Sequence, residues 1–272
     1  MGPEESDFLS RGFEKSCRLS IARVSSKEWL GENFVLLELE EPFVASSARP
    51  GQFVMVRPFG VLFDPLLPRP FAVMQVSGEH FSLLFEIVGR GTMLLSRLEV
   101  GDVVSVLGPL GRGFSLDTSF ALLVAGGRGL VPLVFLAQEL KRRKTPFLFF
   151  LGVRGRGDLA LLHVFEGIPE ILWACEEETG GFCGTVLELV EEWKKRASLQ
   201  EVAKIYACGP EGMLRKLSEV FPEKEENIEV SLETKMGCGF GACLGCAVPR
   251  RGGGYWHACS DGPVFRYAEV IL

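Results

Sequence analysis

Val124-Ala125-Gly126-Gly127-Arg128-Gly129-Leu130-Val131-Pro132 carries an apolar, strand-like run into three glycines and out into a helix-like one. Glycines between a strand end and a helix start let the backbone approach a pyrophosphate while the helix N-terminus faces its negative charge. The run is not a full G-x-G-x-x-G, and taken alone it also suits a tight turn in any α/β domain. Its larger message is positional, because the texture of the chain changes around it.

Upstream, short β-branched or aromatic runs at 18–24, 34–39, 53–56, 71–76, 81–88 and 103–107 are separated by Gly, Pro, Ser and Asp. Strands at that spacing predict a six-stranded antiparallel β-barrel, interrupted by one helix at 92–98. Downstream, strands at 121–124, 147–153, 171–175, 203–208 and 227–232 alternate with helices at 130–143, 158–165, 185–196 and 211–220. Such alternation predicts a parallel sheet covered by helices. The rest of the chain, from Glu233, is rich in cysteine and holds a hairpin through Gly252, Gly253 and Gly254. The expected division is into units 1–115, 116–226 and 227–272.

The third unit reads Cys238-Gly-Phe-Gly-Ala-Cys243-Leu-Gly-Cys246, with Cys259 following. Three thiolates crowded into one short loop and a fourth further on match the plant-type spacing that ligates a [2Fe–2S] cluster. A loop wrapped round a cluster must turn tightly and aim amides at sulfur, which suits Gly237, Gly239, Gly241 and Gly245. Structural zinc also takes four cysteines, usually as two separated short-spaced pairs, and only Cys243 and Cys246 form such a pair here.

The 272 residues are 47% hydrophobic and carry a formal net charge of −6. Phosphate backbones need a basic footprint. The one dense basic run, Lys141-Arg142-Arg143-Lys144, ends a predicted helix, where cations suit the dipole, so no nucleic acid is expected as a partner. No membrane partner is expected either, since the most apolar region, 120–137, is broken by Gly126, Gly127, Arg128, Gly129 and Pro132. Cys17, Cys175, Cys183 and Cys208 are scattered through apolar contexts, and the N-terminus is acidic without a secretory core. A reducing, cytoplasmic setting fits that usage.

Three further stretches suit ligand contacts. Ala207-Cys208-Gly209-Pro210 ends a strand just before a helix, where ligands bind at the carboxyl edge of open α/β sheets. Arg69-Pro70-Phe71-Ala72 sets a guanidinium and an aromatic ring close together, for a phosphate and for stacking on a planar heterocycle. Gly89-Arg90-Gly91-Thr92 opens a helix with glycines, an anion site by the same dipole logic. Each alone also reads as core, surface arginine or helix start.

In chain order, Arg69-Pro70-Phe71-Ala72, Gly91-Thr92, Gly108-Pro109-Leu110-Gly111, the glycine loop, Cys208-Gly209-Pro210 with Met213, and the four cysteines resemble the ferredoxin–NADP reductase superfamily. Within it, from Ser16 onward, the chain is similar to the electron-transfer subunits of two-component, NAD-dependent bacterial dihydroorotate dehydrogenases. The resemblance implies FAD held between barrel and α/β domain. Arg69 would contact the flavin pyrophosphate, Phe71 and Ala72 beside Pro70 would line the isoalloxazine, and Gly91 with Thr92 would hold phosphate. It implies NAD(H) at Gly126, Gly127 and Gly129, with Cys208 and Gly209 near the reactive end, and a [2Fe–2S] cluster on Cys238, Cys243, Cys246 and Cys259.

The implied activity is an oxidoreductase relay between NAD and the FMN of a separate catalytic dihydroorotate dehydrogenase subunit, two copies of each, in pyrimidine (UMP) biosynthesis. Nicotinamide carries hydride and the cluster single electrons, so a flavin must mediate. No side-chain acid or base is needed, and His80, His163 and His257 are read as surface or packing residues. Two departures from the superfamily stand out: Ala72, where many members have Ser or Thr, and Arg128, where an aliphatic residue is common. The same cofactors would also serve a sulfide dehydrogenase, transhydrogenase, hydrogenase or sulfite reductase. A zinc-containing, non-redox binding protein is the alternative of another class. The choice between NADH and NADPH stays open, because no acidic residue for the ribose lies at a reliable offset from the glycine loop.

Overall fold

The computed structural model describes residues 17–58, 60, 64–168, 171–196 and 202–272. Among these, the first half forms a seven-stranded antiparallel sheet from β1 (Arg18–Leu30), β2 (Phe34–Glu40), β3 (Phe53–Pro58), β4 (Arg69–Ala72), β5 (Gln75–Ser77), β6 (His80–Glu86) and β7 (Val103–Leu110). The strand order is β4-β3-β7-β1-β2-β6-β5. Its two edge strands are joined by only Val73 and Met74, so the sheet has to curl until the edges approach one another. Side chains of β2 alternate as a half-buried strand requires, with Val35, Leu37 and Leu39 fully buried, whereas β6 is buried on both faces, with Phe81, Leu83 and Phe85 on one and Ser82 and Leu84 on the other.

The run expected as one strand at 71–76 is two, which makes seven strands of the expected six. Val73 and Met74 are adjacent and both buried, and they enter different cores, Val73 the barrel's and Met74 the one beneath the parallel sheet. An unbroken pleat would send neighbours to opposite faces of one sheet, so the chain bends there instead. Two short helices decorate the sheet, α1 (Pro42–Ser47) and α2 (Arg90–Ser96). Thr92 closes the start of α2, its hydroxyl accepting from the amides of Val88 and Gly89 at 3.0 and 3.2 Å.

The second half contains β8 (Ala121–Gly126), α3 (Leu130–Arg142), β9 (Phe147–Val153), β10 (Ile171–Cys175), β11 (Phe182–Cys183), α4 (Val186–Lys194), β12 (Lys204–Cys208), α5 (Glu211–Val220) and β13 (Ile228–Ser231). A short antiparallel pair, β14 (Ala247–Pro249) with β15 (Tyr255–His257), and β16 (Val264–Arg266) complete the chain. The main sheet runs β11-β10-β9-β8-β12-β13-β16, parallel throughout except for β16, which pairs antiparallel with β13. The helix expected at 158–165 is a 3-10 segment, Arg156–Phe165, that buries only Leu161 and Phe165.

From β8 the chain builds outward through β9 and β10, then returns to the other side of β8 as β12. The order therefore reverses between β8 and β12, and the crevice above a reversal point is where open α/β sheets receive ligands. β13 lies beyond residue 226, where the sequence reading starts the third unit, yet it is a strand of this parallel sheet. The cysteine segment is stitched to the same sheet through β16, and Cys246, Val248, Ala258 and Cys259 share one core with Phe53, Met55 and Leu110 of the barrel.

The seam between the halves is both apolar and polar. Helix α3 is buried along most of its length, and its Phe135 belongs to the barrel core. Glu229 accepts from the amide and hydroxyl of Ser115 at 2.9 and 2.6 Å and pairs with Lys204 at 3.1 Å, while the Tyr206 hydroxyl donates to the Ser115 carbonyl at 2.8 Å. Burial first, and then Glu229, push the Tyr206 hydroxyl well above its ordinary pKa, so it stays a proton donor. Among the described residues no helix is long and apolar enough to cross a membrane.

Candidate functional site

Two adjoining cavities open at the seam. The smaller, about 280 Å³, is walled by β4, the end of β6, the start of α2, and the carboxyl ends of β12 and β13. Arg69, Pro70, Phe71, Ala72, Thr92 and Cys208 all line it. Phe71 is braced by Phe85 at a centroid separation of 5.3 Å. The Arg69 side chain lies against the backbone of Gly91, where a Cβ would sit 2.6 Å from Nε, and its Nη1 donates to the Leu67 carbonyl at 2.6 Å. The barrel residues singled out in the sequence are thus brought together: a cation beside a helix N-terminus at one end, an aromatic and a methyl group along the wall.

The larger cavity, about 1340 Å³, lies over the reversal point and is lined by Gly126, Gly127, Arg128, Gly129, Gly209 and Pro210, among others. Gly129 is required by close approach, since a Cβ there would fall on the Cys208 carbonyl. The two strand-end loops therefore pack backbone to backbone. Cys208 itself faces the smaller cavity, not the larger, and burial, followed by the nearby Glu233, raises its thiol well above the ordinary range while Ser231 hydrogen-bonds it. It is held as a neutral thiol, a small polarizable wall.

Glu86, Arg128, Leu232, Glu233 and Thr234 line both cavities. Arg128 Nη1 meets Glu86 Oε2 at 3.1 Å, linking the glycine loop to the last residue of β6 across the junction. Glu86 and Thr234 carry no signal that sequence reasoning could have used, being a strand end and a residue in an unremarkable Glu-Thr-Lys run. Glu176, just after β10, also lines the larger cavity. An acid there lay in the Glu176-Glu177-Glu178 run, but only the strand order shows that it faces this crevice.

The cysteines form a separate cradle beside the barrel. Cys246 and Cys259 Sγ lie 3.2 Å apart, and the amides of Gly241 and Cys243 point at Cys259 and Cys238 Sγ at 3.1 and 3.4 Å. Burial raises the Cys238 thiol, yet hydrogen bonds from the amides of Phe240 and Cys243, the Cys243 side chain and the Ala242 amide outweigh it and bring the group down to about 6. Cys259 is pushed up to about 12, by burial first and then by the Cys246 thiol beside it. Gly239, at φ +83°, has no room for a Cβ because Met55 of β3 occupies that space, so the loop sits directly on the barrel.

Among the described residues, no three Cys, His, Asp or Glu side chains are placed to hold one metal ion. The thiols fall instead into two pairs, Cys238 with Cys243 and Cys246 with Cys259, under a canopy of amides. That donor set suits two irons bridged by sulfide better than one zinc.

The iron-sulfur cluster binding domain of dihydroorotate dehydrogenase B matches residues 233–271, a span that contains all four of these cysteines. The electron transfer subunit of NAD(+)-dependent dihydroorotate dehydrogenase B from Desulforamulus reducens is 40% identical over 258 residues, covering 92% of this chain and 97% of that one. The chain belongs to that family. The subunit of the same name from Bacillus caldolyticus is 38% identical over 257 residues, with 92% and 97% covered. Among solved structures, an NADH-dependent reduced ferredoxin–NADP oxidoreductase described for flavin-based electron bifurcation is similar at a TM-score of 0.82 and 28% identity, covering 93% of this chain and 90% of that one. A ferredoxin–NADP⁺ reductase from Neisseria gonorrhoeae, at 13% identity and a TM-score of 0.63, with 75% and 91% covered, shares the fold. As expected from the sequence, then, this is a ferredoxin-reductase-like electron-transfer subunit with a C-terminal iron–sulfur domain.

Proposed function

We propose that this chain binds FAD in the smaller cavity, NAD(H) in the larger and a [2Fe–2S] cluster on Cys238, Cys243, Cys246 and Cys259, and relays electrons between NAD and a catalytic, FMN-containing dihydroorotate dehydrogenase subunit. The observation that carries it is the adjacency of the three sites: Gly239 of the cysteine loop rests on Met55 of the flavin barrel, while Cys208 and Arg128 line the flavin cavity from the dinucleotide side. When bound, FAD takes up an electron pair as hydride and passes electrons singly to the cluster, joining two chemistries that do not couple directly.

The residues of the chain bind, orient and insulate. Arg69 and the start of α2 hold negative charge, Phe71 and Ala72 give a flat apolar wall, and Cys208 closes the far side as an uncharged thiol. Gly126, Gly127 and Gly129 admit the second pyrophosphate, with the Gly209 backbone packed beside them. Glu176 is placed to accept from a ribose 2′-hydroxyl and to repel a 2′-phosphate, which favours NADH. Phe240 and Leu244, 51% and 57% exposed, give the cluster loop an apolar outer face for the catalytic partner.

In this reading residues 1–115 form the flavin unit, and the second boundary moves from 226 to 232, because β13 belongs to the dinucleotide-binding sheet. The complex holds two copies of each subunit and works in the cytoplasm. Anaerobic co-purification with the catalytic subunit, a visible spectrum and a dihydroorotate-dependent NAD reduction assay test the proposal. Flavin and iron–sulfur absorption with NAD reduction is the expected result; a colourless, zinc-containing protein overturns the cofactors. A coloured protein whose copurified partner ignores dihydroorotate would instead favour the second reading, an electron-input subunit of another complex, to which the similarity to the bifurcating oxidoreductase points.

A further inference from the structure

The junction of the two cavities carries an uncompensated charge. Of the residues that line both, Glu86, Arg128 and Glu233 are ionisable. Arg128 and Glu86 neutralise one another at 3.1 Å. Glu233 has neither an ion pair nor a hydrogen bond to its carboxylate among the described residues. Arg69, the remaining charged residue of the smaller cavity, lies against Gly91 and does not line the larger one. The passage from one cavity to the other therefore holds a single net negative charge.

The place of that charge is fixed by the fold. Glu233 follows β13 directly, and the amide of Leu232 before it donates to the Pro263 carbonyl at 2.9 Å. The side chain is exposed, as an unpaired carboxylate requires, yet its field reaches the wall of the smaller cavity, where it helps to keep the Cys208 thiol neutral. A nicotinamide ring that exchanges hydride with a flavin must meet it where the two cavities join, because the reacting atoms have to touch. The ring is neutral in NADH and carries +1 once it has given up hydride, two electrons with one proton. A fixed carboxylate beside it attracts the cationic ring and has little effect on the neutral one.

We infer that Glu233 sets the preference of the site for the redox state of the dinucleotide: its carboxylate, at the junction of the cavities, favours the cationic nicotinamide of NAD⁺ over the neutral ring of NADH. It thereby favours uptake of NAD⁺ as electron acceptor. This inference rests on the reading that FAD occupies the smaller cavity and NAD(H) the larger.

Glu233→Gln removes the charge and keeps the shape, whereas Glu233→Asp keeps the charge. Each oxidised, FAD-loaded protein is titrated calorimetrically with NAD⁺ and with tetrahydro-NADH, an unreactive dinucleotide whose ring is uncharged. With Glu233→Gln the dissociation constant for NAD⁺ should rise by about 3- to 5-fold, the size of one ionic contact in a solvated setting. That for the uncharged analogue should stay within about twofold, as should both constants in Glu233→Asp. The wild-type preference for NAD⁺ should shrink as salt is raised, because an exposed charge is screened. The thermal midpoint and FAD content of Glu233→Gln should match wild type, since the side chain is exposed and unpaired.

Unchanged NAD⁺ affinity in Glu233→Gln would overturn the inference. So would equal weakening of both ligands, which is the signature of shape alone, the same loss in Glu233→Asp, or a preference for NAD⁺ that ignores salt. A wild-type protein that takes up no FAD, or that binds neither dinucleotide, would remove the reading of the cavities as well, which separates that failure from failure of the carboxylate's role.

Discussion

The cysteine loop and the glycine loop are both glycine-rich turns, but one is held by hydrogen bonds among its own residues and the other by contact with a distant strand. At the cysteine loop, amides of Phe240, Gly241, Ala242 and Cys243 converge on sulfurs supplied by the same short segment and by Cys259. At the glycine loop, the shape is enforced from outside: Gly129 backs onto the Cys208 carbonyl, and a Cβ at Gly126 would meet Met213 Sδ and Pro210 Cδ at 2.8 Å. A locally assembled site fails where it is cut, whereas a site assembled across two strand ends transmits damage to both.

The sharpest way to break this contrast is Cys259→Ser. It should abolish iron–sulfur absorption and electron transfer to the partner while leaving flavin absorption in place, as read by visible spectroscopy and a dihydroorotate-dependent assay. A seryl oxygen in that buried core should also lower stability by about 1–3 kcal/mol. Loss of flavin together with the cluster would show that the cysteine loop is not the local device described. Next in size, Gly129→Ala should destabilise the protein by about 1–3 kcal/mol, since the new methyl meets backbone that cannot swing aside. NADH affinity should fall with it and FAD content should not, by denaturation and by titration of each cofactor.

Away from both loops, Glu229→Gln removes the charge that Ser115 and Lys204 share at the seam. A loss of about 2 kcal/mol is expected in urea denaturation, with cofactor affinities unchanged. Coupled loss of NADH binding would mean that the crevice depends on the whole seam and not on the two strand ends. The smallest effects belong to the half-exposed pair of Arg128 and Glu86. Breaking it should change stability by no more than about 0.5 kcal/mol. If the guanidinium meets the dinucleotide pyrophosphate, Arg128→Ala raises the KM for NADH by about 3- to 10-fold, and Glu86→Gln, which frees the guanidinium, lowers it. Effects of the same sign in both variants would assign the pair to structure alone.

Particular elements show how far the chain could be read in advance. Helix α5 is found over the residues expected, Glu211–Val220, because its Gly-Pro entry and apolar spacing are local signals. The short helix α1 went unpredicted, although Glu41, whose carboxylate accepts from the Val44 amide at 2.6 Å, and Pro42 formed a helix-start pattern. The break between β4 and β5 was not legible at all, since nothing in Phe-Ala-Val-Met-Gln-Val distinguishes one buried strand from two that serve different cores. Cys208 was readable as a strand-end thiol, but its placement on the wall of the smaller cavity was not.

Sequence alone determined the cluster ligands as candidates, the barrel-then-parallel-sheet order and the two glycine-bearing strand ends, because each depends on spacing or periodicity within a few turns of chain. Tertiary structure decided which side chains share a cavity: Glu86 with Arg128, Glu176 over the crevice, and Glu233 with Thr234 at the junction. Glu86 and Thr234, which line both cavities, are 148 positions apart in a chain of 272. Such pairings follow from the curl of one sheet against the edge of another, a packing outcome that no local pattern encodes.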